Sequence, residues 1–355
     1  MSETVPFRRL LRHPVATATS VEASALMVAA LVFVASGAVG LAVFWGAPAE
    51  IAGPDSVGQF TALASVVVAV GVYVFARVLA RRQATEPEGS RIRWFDVVAL
   101  ALAHGIIALL GWLALADLFE RSFVGAELYP LAAAALTASA LAVTAYAVFL
   151  SALAVGALHL SLILVVFLVC GVFASMLTAS DPLWWQLNLS TLGISDDLSA
   201  RAFNITLVIA GVIVTTIAHV AVEGLPAERA GEVRSRRVIR VALSLIGVLL
   251  ACVGLFPVDE FLTAHNVSAS GMLVVFVVLV VDIRRLVPGL PQPFLVLGYV
   301  FLGVIAVIAV FFLTGYYTLT ATELVAFLLV FAWLIVFLRI TGASEQGRAG
   351  DVQER

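Results

Sequence analysis

Residues 128–180 read LYPLAAAALTASALAVTAYAVFLSALAVGALHLSLILVVFLVCGVFASMLTAS, with no Asp, Glu, Lys or Arg between Glu127 and Asp181. How often this stretch crosses a membrane decides the fold. A helix of about 20 apolar residues spans a hydrocarbon core of roughly 30 Å, so the stretch holds one long span or two spans joined near Ser151 to Gly156. The choice follows from where the arginines fall once every other span is counted.

Apolar windows of span length, with charge only toward their ends, lie at about 23–46, 57–78, 95–117, 129–150, 157–178, 201–222, 239–257, 264–282, 293–314 and 319–339. The chain has no Lys, and its 20 basic residues are all Arg. Arg8, Arg9 and Arg12 precede the first window; Arg77, Arg81, Arg82, Arg91 and Arg93 surround the second connection. Arg229, Arg234, Arg236, Arg237 and Arg240 fall between the sixth and seventh, Arg284 and Arg285 follow the eighth, and Arg339, Arg348 and Arg355 end the chain. With two spans in 128–180, all of these share one side and only Arg121 and Arg201 lie on the other. With one span, the Arg229 to Arg240 cluster would cross over. The positive-inside rule therefore selects two spans, ten in all, with both termini cytoplasmic. The fold class expected is an all-α polytopic integral membrane protein.

Composition agrees. The hydrophobic set is 62% of 355 residues and the charged set 12%, against roughly 45–50% and roughly 25% in soluble domains. That balance excludes a soluble enzyme of this size. Two cysteines and a net charge of -3 exclude a disulfide scaffold and a nucleic-acid binder. Cys170 and Cys252 lie inside spans and read as small packing residues. Trp45, Trp184, Trp185, Tyr316 and Tyr317 fall at expected outer ends and Trp94 at an inner one, the depth at which indole and phenol rings settle. The localisation this implies is a cell (plasma) membrane, multi-pass, with membrane lipids as the partners at hand.

Along the chain, 1–22 reads as a cytoplasmic tail, 23–154 as a four-helix region, 155–340 as a six-helix domain and 341–355 as a second tail, irregular from Ala343 onward. Five-plus-five inverted repeats are the competing partition, although 23–178 and 201–339 show no self-similarity. The longer polar connections, Arg81 to Trp94 with Glu86, Pro87, Glu88 and Gly89, and Gly224 to Arg240, read as solvated cytoplasmic linkers.

Ionisable groups at mid-membrane are costly and functional by default. Here His104 in the third span is the clearest, and a hydrogen bond to a neighbouring helix is its simplest role. His159 and His219 fall near inner ends. Glu323 stands in the first turn of the tenth span, placed to complement the helix dipole or reach water. No Asp or Glu occupies the centre of a span and no Pro breaks one, which removes the two most readable marks of a coupled carrier.

Polarity concentrates instead in two loops of the outer face. The first runs from Asp181 through Asn188, Ser190, Thr191, Ser195, Asp196 and Asp197 to Arg201, leading into Phe203 and Asn204; the second holds Pro257, Asp259, Glu260, His265, Asn266 and Ser268. Asn204 lies one turn inward of Arg201 and Ser268 one turn inward of His265, so both pairs can face a shallow outer cavity. Ser195, Asp196 or Asp197 is placed to cap the sixth span. Three chemistries fit: binding of a lipid headgroup or other amphipathic ligand at Ser195, Asp196, Asp197, Asn204, Asp259, His265 and Ser268; an acid/base or metal role for His265 beside a carboxylate; and a hydrolase or acyltransferase built from Ser195, His265 and Asp259. A single outer His with no paired spacing argues against metal, no cofactor is implied, and no nucleophile-elbow pattern is present. The leading expectation is a non-enzymatic protein with an outer-face ligand cavity. A small-molecule transporter with a cavity at His104 is the alternative, and the His265 enzyme the third reading.

The run Leu192, Gly193, Ile194, Ser195, then Ala202, Phe203, Asn204, then Gly254, Leu255, Phe256, Pro257 and His265 resembles the prokaryotic membrane family catalogued as domain of unknown function 998. It is also distantly similar to the six-span DRAM and Frag-type families. The resemblance covers about 157–340 and leaves the first four spans aside. It implies a six-helix membrane unit and hints at lipid-related roles; Ser195, Phe203, Asn204, Pro257 and His265 match its pattern, whereas Asp259 and Glu260 do not belong to it. It carries over no reaction and no catalytic residue.

Overall fold

The computed structural model describes residues 14–83, 93–154, 156–194, 198–222, 225 and 229–353. Among them, ten helices are long and apolar enough to cross a membrane: α1 (Ala18–Val43), α2 (Val57–Arg82), α3 (Trp94–Ser122), α4 (Pro130–Leu153), α5 (Ala157–Thr178), α6 (Leu198–Ala221), α7 (Ala230–Leu255), α8 (Leu262–Leu286), α9 (Gln292–Leu313) and α10 (Leu319–Gln353). The chain is an all-α multi-pass membrane protein. Its charge-free stretch 128–180 is two helices, α4 ending at Leu153 and α5 starting at Ala157.

Most helices outrun the apolar windows, because a backbone ladder continues into water once the apolar core has been crossed. The segment 224–240, expected to be a linker throughout, is helical from Ala230. Glu232 starts it by accepting from the Arg229 amide at 3.1 Å. α10 likewise runs on to Gln353, where an irregular tail was expected from Ala343; Ala, Glu, Gln and Arg are strong helix formers and no Pro interrupts them. The tail arginines Arg8, Arg9 and Arg12, and the connection with Glu86, Pro87, Glu88 and Gly89, lie outside the described residues.

The chain divides into two compact units, 1–155 and 156–355. In the first, α1 packs on α4 through small residues: a Cβ on Gly40 would sit 3.2 Å from the Ala134 Cα. Hydroxyl, indole and imidazole groups stitch the helices, as expected where lipid gives apolar side chains no reason to pair. Thr61 and Thr137 hydroxyls are 2.9 Å apart, and the Trp112 indole donates to Thr144 at 2.9 Å. Arg77, placed by its charge at a span end, is buried within α2 and donates to the Ala152 carbonyl at 3.0 Å, at the C-terminal end of α4. A two-residue antiparallel ribbon pairs Ala49 with Leu128 and Glu50 with Glu127.

In the second unit, α6 and α7 approach until their backbones touch. A Cβ on Gly211 would fall 2.4 Å from the Gly247 carbonyl oxygen, and one on Gly247 would fall 2.5 Å from that of Gly211. Only glycine permits this crossing. Farther along, Gly254 lies against the Asn204 carbonyl in the same way. Across the unit, Trp333 of α10 stacks on Phe294 at 5.2 Å and on Phe337 at 5.5 Å, with Phe276 edge-on at 5.5 Å.

Candidate functional site

At one end of the second unit α5, α7 and α9 finish and α6, α8 and α10 begin. The chain from α5 to α6 makes two 3-10 turns there, Trp184–Gln186 and Leu189–Gly193. Repeated Asn, Ser and Thr, with Gly193 at the close, favour tight turns over helix because short polar side chains bond their own backbone; Thr191 Oγ1, for example, donates to Asn188 Oδ1 at 3.1 Å. Leu189 and Leu192 point inward and are buried.

The Leu189–Gly193 turn is tied to three helices by three different polar groups. From α6, Asn204 Nδ2 donates to the Gly193 carbonyl at 3.1 Å. From α10, Glu323 accepts the Leu189 amide at 2.6 Å. From α8, His265 Nε2 lies 2.9 Å from Ser190 Oγ, and its Nδ1 lies 2.8 Å from the Phe256 carbonyl oxygen. A carbonyl only accepts, so Nδ1 carries the proton. In the neutral ring Nε2 is then the acceptor, and the Ser190 hydroxyl donates to it. Ser175 and Ser199 add a clasp between the ends of α5 and α6, with Ser199 Oγ donating to the Ser175 carbonyl at 2.9 Å.

Beneath the turn is a cavity of about 350 Å³ to which all six helices contribute, through Val172, Phe203, Leu250, Met272, Ile305 and Phe327 among others. Its polar lining is confined to Ser190, Ser270, Thr322 and Glu323. Ser190 comes from the turn and Thr322 and Glu323 from the start of α10, whereas Ser270, the ninth residue of α8, gives its hydroxyl to the Asn266 carbonyl of its own helix. The polarity open to a ligand is therefore gathered at one end and the rest is apolar. Phe331, the deepest α10 residue on the wall, lies twelve residues from the start of that helix, roughly 18 Å inward at 1.5 Å per residue.

The residues singled out from sequence are distributed unevenly over this site. His265 and Asn204 do not meet: each anchors a different residue of the turn, and neither is on the cavity wall. Ser268 returns its hydroxyl to the Ala264 carbonyl of its own helix at 2.8 Å. Asp259 is exposed and has no ion pair among the described residues. Ser195, Asp196 and Asp197 lie outside the described residues. No group of three or more His, Cys, Asp or Glu able to hold a metal occurs among the described residues. None of the four polar wall residues was assigned to the site from sequence; Ser190 and Glu323 are the two whose side chains also hold the turn. The readable signal for Glu323 was its position, a lone acid one turn into an otherwise apolar span; for Ser190 there was none to distinguish it from its neighbours.

In the first unit, His104 makes a similar pair. Its Nδ1 lies 2.7 Å from the Leu100 carbonyl and its Nε2 2.7 Å from Ser151 Oγ. The pair borders a groove of about 470 Å³ whose walls come from α3 and α4 alone.

Compared with family models, curated proteins and solved structures, the chain matches none.

Proposed function

We propose that the second unit binds one acyl chain of a membrane lipid or related amphipath, with the chain in the cavity and the polar group at the Leu189–Gly193 turn. The observation that carries this reading is the cavity's division into an apolar body and a polar end. Its size falls at the lower end of small-molecule sites, roughly 300–1,000 Å³, whose usual make-up is an apolar lining with a few placed polar groups. Sited at the end of the spans, its mouth lies at headgroup depth, where a lipid need not leave its leaflet to enter. On the arginine distribution that leaflet is the outer one of a cell membrane. A carrier with five-plus-five helices is the weaker reading, because the compact units divide at Val155 and Gly156, after the fourth helix.

Ala309 and Ala326 line the cavity from α9 and α10. Replacing either by Trp fills the space with an indole. Mass spectrometry of lipid extracted from detergent-purified protein is expected to find stoichiometric acyl-chain lipid with the wild type and several-fold less with Ala309→Trp or Ala326→Trp. Equal lipid in all three would end the proposal.

A further inference from the structure

The Ser190 and His265 pair has a chemistry that ligand binding does not require. We propose that Ser190 is an acyl-accepting nucleophile and His265 its base, so that the cavity is the acyl site of an ester hydrolase. This rests on the reading that the cavity holds an acyl chain.

Three features meet at one point. The hydroxyl and Nε2 are 2.9 Å apart, within the reach proton transfer needs. The ring is held in the tautomer that leaves Nε2 free to accept, because Nδ1–H is donated to the Phe256 carbonyl; that carbonyl occupies the place of the third, orienting group of a nucleophile and base arrangement. Ser190 is also on the cavity wall, so an ester whose chain fills the apolar body presents its carbonyl near the polar end. His265, the fourth residue of α8, is buried, and Ser190, in a turn between helices, is half-buried, so an ester and water would come to the hydroxyl from the cavity side.

The reaction balances without an added oxidant or reductant. Ser190 Oγ bonds to the ester carbonyl carbon while its proton passes to His265 Nε2, and the carbonyl electron pair moves onto oxygen. That pair returns as the bond to the alcohol oxygen breaks, and His265 delivers its proton to the departing alcohol. Water then bonds to the acyl carbon, giving a proton to Nε2; Ser190 Oγ leaves and regains that proton. The sum is ester plus water to carboxylic acid plus alcohol.

The test uses the full chain in detergent and a long-chain alkyl fluorophosphonate, which forms a stable bond to an activated serine. Peptide mapping is expected to place one adduct on Ser190. His265→Gln leaves an amide at the site and removes the base, so labelling should slow by about a hundredfold or more. Ser190→Ala should abolish it while the variant still elutes as a single species and unfolds at the wild-type temperature, which shows that it is folded. An adduct elsewhere, none at all, or one at Ser190 whose rate ignores His265→Gln overturns the proposal. If the wild type carries lipid and takes no label, acyl transfer fails and acyl-chain binding stands; if it carries none and takes none, both fail.

Discussion

The two units each hold a histidine whose Nδ1 serves a carbonyl and whose Nε2 meets a serine hydroxyl, and the pairs differ in everything around them. His104 is the eleventh residue of α3, roughly 15 Å from its start, and bonds the Leu100 carbonyl of its own helix. Its partner Ser151 stands on α4, so the bond fastens one helix to another beside a groove walled by those two alone. His265 stands at the start of its helix, is oriented by a carbonyl of the preceding connection, and holds a turn over a cavity to which six helices contribute. The same hydrogen bond is helix glue in the first setting and a poised donor and acceptor in the second. What differs is the setting: Ser151 borders a groove between two helices, and Ser190 a cavity with walls from six.

Several measurements would break or sharpen this contrast. The largest effect is chemical: an alkyl fluorophosphonate should modify Ser190 at least about a hundredfold faster than Ser151, and comparable labelling of the two, read by peptide mapping, would erase the distinction. Next comes packing. Gly247→Val drives a side chain into the Gly211 carbonyl and Thr215, with an expected loss of about 3 kcal/mol, whereas Gly71→Val in α2 meets nothing within 4 Å and should cost under about 1 kcal/mol; thermal unfolding in detergent compares them. His265→Ala removes a tie on the turn and strands the Phe256 carbonyl, for about 2 kcal/mol, and should weaken lipid retention. His104→Ala removes helix glue alone, for about 1 kcal/mol, and lipid retained by the second unit should not change. The smallest effect is expected from exposed Asp259→Ala, within about 0.5 kcal/mol on unfolding, with labelling of Ser190 unaltered.

The helices were legible in the sequence because a span is a local property: charge is absent over one crossing and arginine marks its ends. Their termini were less so. Arg77 looked like an end marker, yet it is buried within α2, where the buried Ala152 carbonyl at the C-terminal end of α4 offers its guanidinium a partner. The polar end of the second unit could be found from its loops, and His265 stood out as the one histidine there. Its serine could not be chosen by reading, since Ser190 and His265 are 75 residues apart and the same loop offers Ser195 as readily. Glu323 suggested a helix-dipole role; only the fold brings the Leu189 amide to it. Pairings of this kind are set by how helices close on one another.

The backbone contact between Gly211 and Gly247 bears on how the cavity can change size. With no side chains between them to rearrange, α6 and α7 can neither slide nor part without losing the whole seam, and so behave as one stiff plate. On the opposite wall α9 has only Phe294, Gly298 and Ile305 buried. Compliance of the chamber is therefore lopsided: swelling to take a bulkier guest is borne by α9, while the face carried by α6 and α7 keeps its shape.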